Sequence, residues 1–181
     1  MLKWLMLKRL AAFERTYAYD ASYVRAILAT DLRAFLALAK VGGIARYRRD
    51  VPLDVYYAAK LTSTMAEDCG PCTQLVVAMG LRAGVAPRTL AAVLRQDWGE
   101  LSEPAELGVR FARAALRHSE EGESLRAAIV QRWGERALIS LAFAVAAGRL
   151  YPTLKYALGH GVACERVVVG GESISVLRSA A

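Results

Sequence analysis

A Cys-Gly-Pro-Cys motif at residues 69–72 lies between two segments with the composition of helices, residues 53–66 and 75–84. Pro71 suits the first turn of a helix, because its missing N–H would have no partner there. The motif is therefore predicted to open the second helix, with both sulfurs at its positive end. A thiolate in that position is stabilised by unbonded backbone N–H groups and by the helix dipole, so its pKa should fall.

Two cysteines at this spacing fit redox chemistry, in which one thiolate attacks and the second thiol closes a disulfide. Structural thiols and half of a zinc site are the alternatives. A four-ligand zinc site usually needs a second pair of Cys or His, and the remaining Cys164, His118 and His160 form no such pair. Cys164 is predicted to be a small buried residue. The pattern favours a redox pair and no metal.

Length and composition predict a single domain with a large hydrophobic core. The chain has 181 residues, of which 55% are hydrophobic. No apolar stretch approaches the roughly 20 residues of a membrane span. The first ten residues are interrupted by cations and lack the pattern of a signal peptide. We therefore expect a cytoplasmic protein without a membrane span.

The net charge of +7 is concentrated at the beginning of the chain, because residues 1–50 carry ten Lys or Arg and four Asp or Glu. Such a basic region suits an anionic membrane surface or an acidic partner. No nucleic-acid motif accompanies it, so nucleic acid is not an expected partner.

The pattern of elements predicts an all-α bundle with a short C-terminal β-hairpin. Basic N-terminal helices occupy residues 1–50, with Asp20 capping the second; a helical core with the motif occupies 53–158; and the hairpin lies within 159–181. Pro152 is expected to begin a separate short helix. Two runs rich in β-branched residues, 166–169 and 173–177, flank Gly170 and Gly171, which suit a hairpin turn.

A thioredoxin fold shares the Cys-Gly-Pro-Cys sequence but fits this chain poorly. Thioredoxin-like proteins place the motif after a buried strand and a tryptophan. Here the preceding segment is helical and Asp68 takes the place of the tryptophan.

Residues 53–95 resemble the carboxymuconolactone decarboxylase and alkylhydroperoxidase D family. The resemblance rests on a helix, a turn, Cys-x-x-Cys opening a second helical stretch from Cys72 to Val85, and a third helix from Pro87. Later helices are similar in style. The family implies an all-α fold, an oligomer and, for the branch with paired cysteines, hydroperoxide reduction by a thiol without a cofactor.

Two residues of the family's peroxidase pattern are missing. Val76 stands where that pattern has a histidine, and Tyr57 stands where it has a glutamate. Glu67, just before the motif, is our candidate for a replacement acid/base. Gln74 is a candidate for binding a water or peroxide, and Tyr57 and His160 are further candidates for support.

The sequence thus predicts a Cys69/Cys72 oxidoreductase that reduces hydroperoxides, another small substrate or a partner disulfide. A dithiol protein would restore the thiols. One cysteine is expected to be partly exposed, and the chain is expected to form a homo-oligomer. The alternative is a non-catalytic helical binding or assembly module with redox-sensitive cysteines.

Overall fold

Nine α-helices, a short 3-10 helix (Trp98–Glu100) and a two-stranded antiparallel hairpin lie in the part of the chain that the structure describes, residues 2–163 and 166–176 of a computed structural model. The all-α class with a short hairpin is therefore confirmed, whereas Cys164 lies outside the described residues. The helices are α1 (Leu2–Tyr17), α2 (Ser22–Thr30), α3 (Leu32–Arg46), α4 (Leu53–Met65), α5 (Gly70–Ala83), α6 (Pro87–Arg95), α7 (Glu103–Arg117), α8 (Gly122–Trp133) and α9 (Glu135–Ala157); the strands are β1 (Arg166–Val169) and β2 (Glu172–Ser175).

Helix α4 is the central helix of the bundle. It packs against α7, α9, α5 and α6, and it is buried on every side from Ala58 to Thr64. Two apolar clusters meet on it. One joins α4 to α5, α6 and the hairpin through residues such as Val77 and Leu90, and the other joins α4 to α7, α8 and α9 through residues such as Leu141.

Two glycines let the neighbouring helices approach α4 closely. A Cβ added at Gly108 of α7 would lie 2.7 Å from the carbonyl oxygen of Val55. A Cβ added at Gly148 of α9 would overlap Ser63 Oγ. Both positions therefore need glycine for packing rather than for backbone freedom.

The N-terminal region contains three helices because Asp31 separates α2 from α3, whereas the sequence pattern from Tyr23 to Leu38 predicts one continuous second helix. Asp31 has an extended backbone (φ −148°), and its carboxylate accepts from Arg33 N at 2.7 Å, which caps α3. The expectation that Asp20 caps the second helix is wrong, since Ala21 holds that position. Asp20 instead accepts from the backbone N–H of Ser22 at 2.8 Å.

Pro152 does not begin a separate helix, because it lies inside the continuous 23-residue α9. Proline removes one backbone hydrogen bond there. The Thr153 hydroxyl donates to the Arg149 carbonyl at 2.8 Å beside that gap, and Pro152 itself is buried. Packing of α9 on α4 thus keeps α9 continuous across Pro152.

The hairpin has the predicted glycine turn, and Leu177 of the predicted second strand lies outside the described residues. Val167 pairs with Ile174, and Gly170 and Gly171 form the turn with positive φ values of 57° and 90°. Val167, Val169 and Ile174 are buried against the bundle. The hairpin is therefore part of the core.

Helix α9 is the one described helix that is long and apolar enough to cross a membrane by length and composition. In this fold it packs on α4, α8 and α3, and 44% of its most apolar 18-residue window is buried.

Replacing Gly108 by alanine should destabilise the protein, because the new methyl group would meet the backbone of α4. We expect a loss of roughly 1–3 kcal/mol, the usual cost of overpacking a core, measured as a lower midpoint in urea denaturation. Gly43→Ala is the matched control, because nothing lies within 4 Å of a Cβ there. That change in α3 should be neutral or stabilising. Equal losses in both variants would contradict the close-approach argument.

Candidate functional site

The Cys-x-x-Cys motif opens α5 as predicted. Cys69 is the N-cap residue of the helix and Pro71 lies in its first turn. The Cys69 carbonyl accepts from both the backbone N–H and the hydroxyl of Thr73, each at 2.9 Å. Asp68, in a left-handed conformation (φ 48°), turns the chain from α4 into the motif. Both sulfurs therefore lie at the N-terminal end of α5.

Both cysteines are buried free thiols, with exposed fractions of 0% for Cys69 and 4% for Cys72. The expectation that one of them is partly exposed is wrong. The segment after α9 covers the motif, because the Val162 carbonyl accepts from Gly70 N at 3.0 Å. Tyr156 adds a second bond from its hydroxyl to the Asp68 carbonyl at 2.8 Å.

The two thiols differ in acidity although they are adjacent. The hydrogen bond from the Cys72 side chain lowers the pKa of Cys69 to about 7; burial opposes this, and the Cys72 backbone N–H and the Lys155 ammonium add to it. The same thiol pair and burial raise the pKa of Cys72, against the Lys155 charge and a hydrogen bond from Tyr19. Cys69 is thus the thiolate of the pair near neutral pH and Cys72 holds the proton.

Two tyrosines and a lysine surround the thiols. Tyr19 and Tyr23 are 7% and 3% exposed and hydrogen-bond each other, and burial is the main cause that raises the pKa of both. Lys155 is 3% exposed, and its Nζ lies 5.0 Å from the ring centre of Tyr19 and 5.4 Å from that of Tyr23. A buried cation, two hydroxyls and two thiols therefore share one enclosed cluster.

Three distant segments supply this cluster, which we call the thiol cluster: Cys69, Cys72, Tyr19, Tyr23 and Lys155. The segment that runs from the connection between α1 and α2 into α2 provides both Tyr19 and Tyr23. Helix α5 provides the cysteines and the last turns of α9 provide Lys155. An apolar layer that includes Phe13 and Leu75 packs around the tyrosines.

Glu67 is close to the motif in sequence, but its carboxylate is bound by α9. Arg149 Nε donates to one oxygen at 2.6 Å and the Thr153 hydroxyl donates to the other at 3.1 Å. Among the described residues, these bonds occupy both oxygens of the proposed acid/base. They tie the turn before the motif to α9.

Gln74 is bound by the hairpin. Its side-chain nitrogen donates to the Val168 carbonyl at 3.0 Å, and its side-chain oxygen accepts from Val168 N at 2.8 Å. Both ends of the amide are therefore used in docking β1 on α5, rather than in holding a water or peroxide.

Tyr57 and His160 have different positions relative to the thiol cluster. Tyr57 packs beside Gly80, eight residues after Cys72 and so about 12 Å further along α5. His160 borders the cluster: its Nδ1 lies 3.4 Å from Ser22 Oγ, and its ring centre lies 6.4 Å from that of Tyr23. Of the predicted supporting residues, His160 is the one beside the thiol cluster.

Sequence reasoning missed Tyr19, Tyr23 and Lys155. The spacing of Tyr19 and Tyr23, four residues apart, was one available signal, because it places them on one face if the segment is helical. Lys155, within an otherwise apolar stretch of α9, was another. Neither signal shows that the residues face the motif.

The comparisons with known proteins give no relative. No protein-family profile matches the chain, and no curated protein and no solved structure is significantly similar to it. Within the described residues, no group of three or more His, Cys, Asp and Glu side chains is placed to hold a metal ion. The chemistry of the site therefore has to be argued from the thiol cluster itself.

Replacing Cys72 by alanine should raise the pKa of Cys69 from about 7 towards the ordinary thiol value, because it removes the largest cause of the lowering. Thiolate absorbance at 240 nm, followed against pH, measures this in a Cys164→Ala background. The parent Cys164→Ala protein is the control and should titrate near 7. An unchanged midpoint in the Cys72 variant would mean that Cys72 does not stabilise the thiolate.

Proposed function

We propose that the protein is a thiol oxidoreductase that uses Cys69 and Cys72 to reduce a hydroperoxide. The observation that carries the proposal is the buried thiol pair, in which Cys69 has a pKa of about 7 and Cys72 keeps its proton. A peroxide-reducing cysteine needs a thiolate at neutral pH and a second thiol within reach. The family resemblance of residues 53–95 is in line with the same chemistry.

In the first step, the Cys69 thiolate attacks the terminal oxygen of the hydroperoxide. An S–O bond forms, the O–O bond breaks, and the sulfur is oxidised to a sulfenic acid. The alkoxide that leaves takes a proton and departs as an alcohol. Tyr19 and Tyr23 are hydroxyl donors within the thiol cluster that can relay this proton, and Lys155 stabilises negative charge there.

In the second step, Cys72 attacks the sulfur of the sulfenic acid. The S–S bond forms, and the hydroxyl group leaves as water with the proton that Cys72 gives up. A dithiol protein then reduces the disulfide by thiol exchange, returning both cysteines to thiols. No metal or organic cofactor takes part in this scheme.

The burial of both thiols bears on the choice of oxidant. A small hydroperoxide needs only a narrow path, whereas a protein disulfide needs an exposed sulfur. The reduced state therefore suits a small oxidant. Exchange with the dithiol partner requires the covering segment at Val162 to move from Gly70.

The same burial supports a second candidate function. Thiols that are at most 4% exposed are also compatible with a non-catalytic assembly module whose cysteines respond to oxidation. The two functions differ in turnover, since a module consumes at most one equivalent of peroxide per thiol pair. Cytoplasmic location and homo-oligomer formation are parts of the proposal for either function.

Peroxide consumption in the presence of a dithiol reductant tests catalysis directly. The wild type and Cys164→Ser should turn over many equivalents, whereas Cys69→Ser should fall to the rate without protein. Without the reductant, Cys72→Ser should accumulate a sulfenic acid on Cys69 after consuming one equivalent of peroxide, and a dimedone label detects that acid by mass spectrometry. Consumption by the wild type that ends at one equivalent would favour the assembly module.

Tyr19→Phe should slow turnover by roughly 10²-fold, the lower end of what a positioned acid or base contributes. The hydroxyl of Tyr19 hydrogen-bonds Cys72, whereas the ring, which packs edge-on to Phe13 at 6.0 Å, is kept. Tyr17→Phe is the matched control, because Tyr17 packs on the same apolar layer. Glu67→Gln should stay near the wild-type rate. If Glu67→Gln were slow and Tyr19→Phe were normal, the proton relay would have to be assigned to Glu67 instead of Tyr19.

A further inference from the structure

The first half of α1 exposes large apolar side chains to solvent. No residue of α1 is buried, and the exposed fractions are 54% for Leu2, 58% for Trp4, 44% for Leu5 and 39% for Leu7. The second half is different, because Leu10, Phe13 and Tyr17 pack on the tyrosines of the thiol cluster. The helix is thus anchored at its C-terminal end and exposed at its start.

The charges on this part of α1 all have one sign. Residues 1–13 contain Lys3, Lys8 and Arg9 and no carboxylate. The next charged residue, Glu14, is paired with Arg25 of α2. Lys8 places its ammonium 3.9 Å from the ring centre of Trp4, so cation and aromatic ring are adjacent on the exposed surface.

The combination of charge and exposure distinguishes the possible occupants of this surface. A second copy that paired α1 with α1 would bring three cations towards three cations. An anionic lipid surface attracts the cations and also accepts the apolar side chains at the level of the headgroups, where tryptophan is favoured. We propose that α1 docks on an anionic lipid surface through Trp4, Leu5 and Leu7, with Lys3, Lys8 and Arg9 contacting the headgroups.

Flotation with vesicles tests the proposal on the full chain. Vesicles of phosphatidylglycerol and phosphatidylcholine should bind the protein, and vesicles of phosphatidylcholine alone should bind it at least tenfold more weakly. Binding should also weaken at high salt, because the attraction to headgroups is screened. Equal binding to the two kinds of vesicle, or no binding to either, would overturn the proposal.

Matched variants separate a docking helix from general basic charge. Lys8→Glu/Arg9→Glu should weaken binding by about 100-fold or more, on the usual scale for basic residues at an anionic surface. Arg88→Glu/Arg117→Glu makes the same change in net charge at exposed positions on α6 and α7, and should bind almost as the wild type does. Equal losses in the two variants would overturn the assignment to α1.

The apolar contribution is tested by Trp4→Ala/Leu7→Ala, with Ile139→Ala on α9 as the control, since Ile139 is 43% exposed. The α1 variant should bind weakly and the control should bind normally. Vesicle binding should shift the tryptophan fluorescence of the wild type to shorter wavelength. Loss of this shift in Trp4→Phe would place the Trp4 ring at the lipid, because Trp98 and Trp133 remain in that variant. Sedimentation that shows a dimer lost on changing Trp4 and Leu7, without vesicle binding, would assign the surface to a second copy instead.

Discussion

The close contact of α4 with α7 and α9 is the constraint on which the rest of the structure depends. Gly108 and Gly148 have no side chain to separate these helices, so their backbones approach α4 directly. This contact fixes the end of α4 and therefore the turn that begins the Cys-x-x-Cys motif. It also fixes the path of α9, whose last turns carry Lys155 to the thiols. The cysteines and Lys155 are thus both positioned by packing against α4.

The hydrogen bond between the two thiols opposes burial at Cys69 and adds to burial at Cys72, and this difference makes the pKa values of the pair asymmetric. Burial alone disfavours a thiolate at either sulfur. Cys69 overcomes it because the side chain and the backbone N–H of Cys72 both donate to it. Cys72 cannot donate its proton and also lose it, so its pKa rises. Lys155 and Tyr19 moderate that rise, which makes them the residues to examine in any account of disulfide closure.

Local signals in the sequence predicted the elements well and the site only in part. The position of Pro71 and the two glycines of the hairpin turn are local signals, and both predictions are confirmed. The division at Asp31 and the continuous α9 across Pro152 were not predicted, because tertiary packing and a side-chain cap outweigh the local pattern there. Likewise, closeness in sequence suggested Glu67 and Gln74, whereas the fold binds them to Arg149 and Val168. The residues that reach the thiols come from 46 or more positions away, so no local spacing relates them to the motif.

The bond pattern of Gln74 has a consequence for the behaviour of the hairpin among many copies of the protein. A two-stranded sheet has two open edges, and an open edge can recruit a strand from another chain and lead to aggregation. Gln74 occupies both the N–H and the carbonyl of Val168, in the middle of β1. One side chain therefore blocks the edge of β1 where another strand would pair, and a substitution of Gln74 by leucine would leave that edge unprotected.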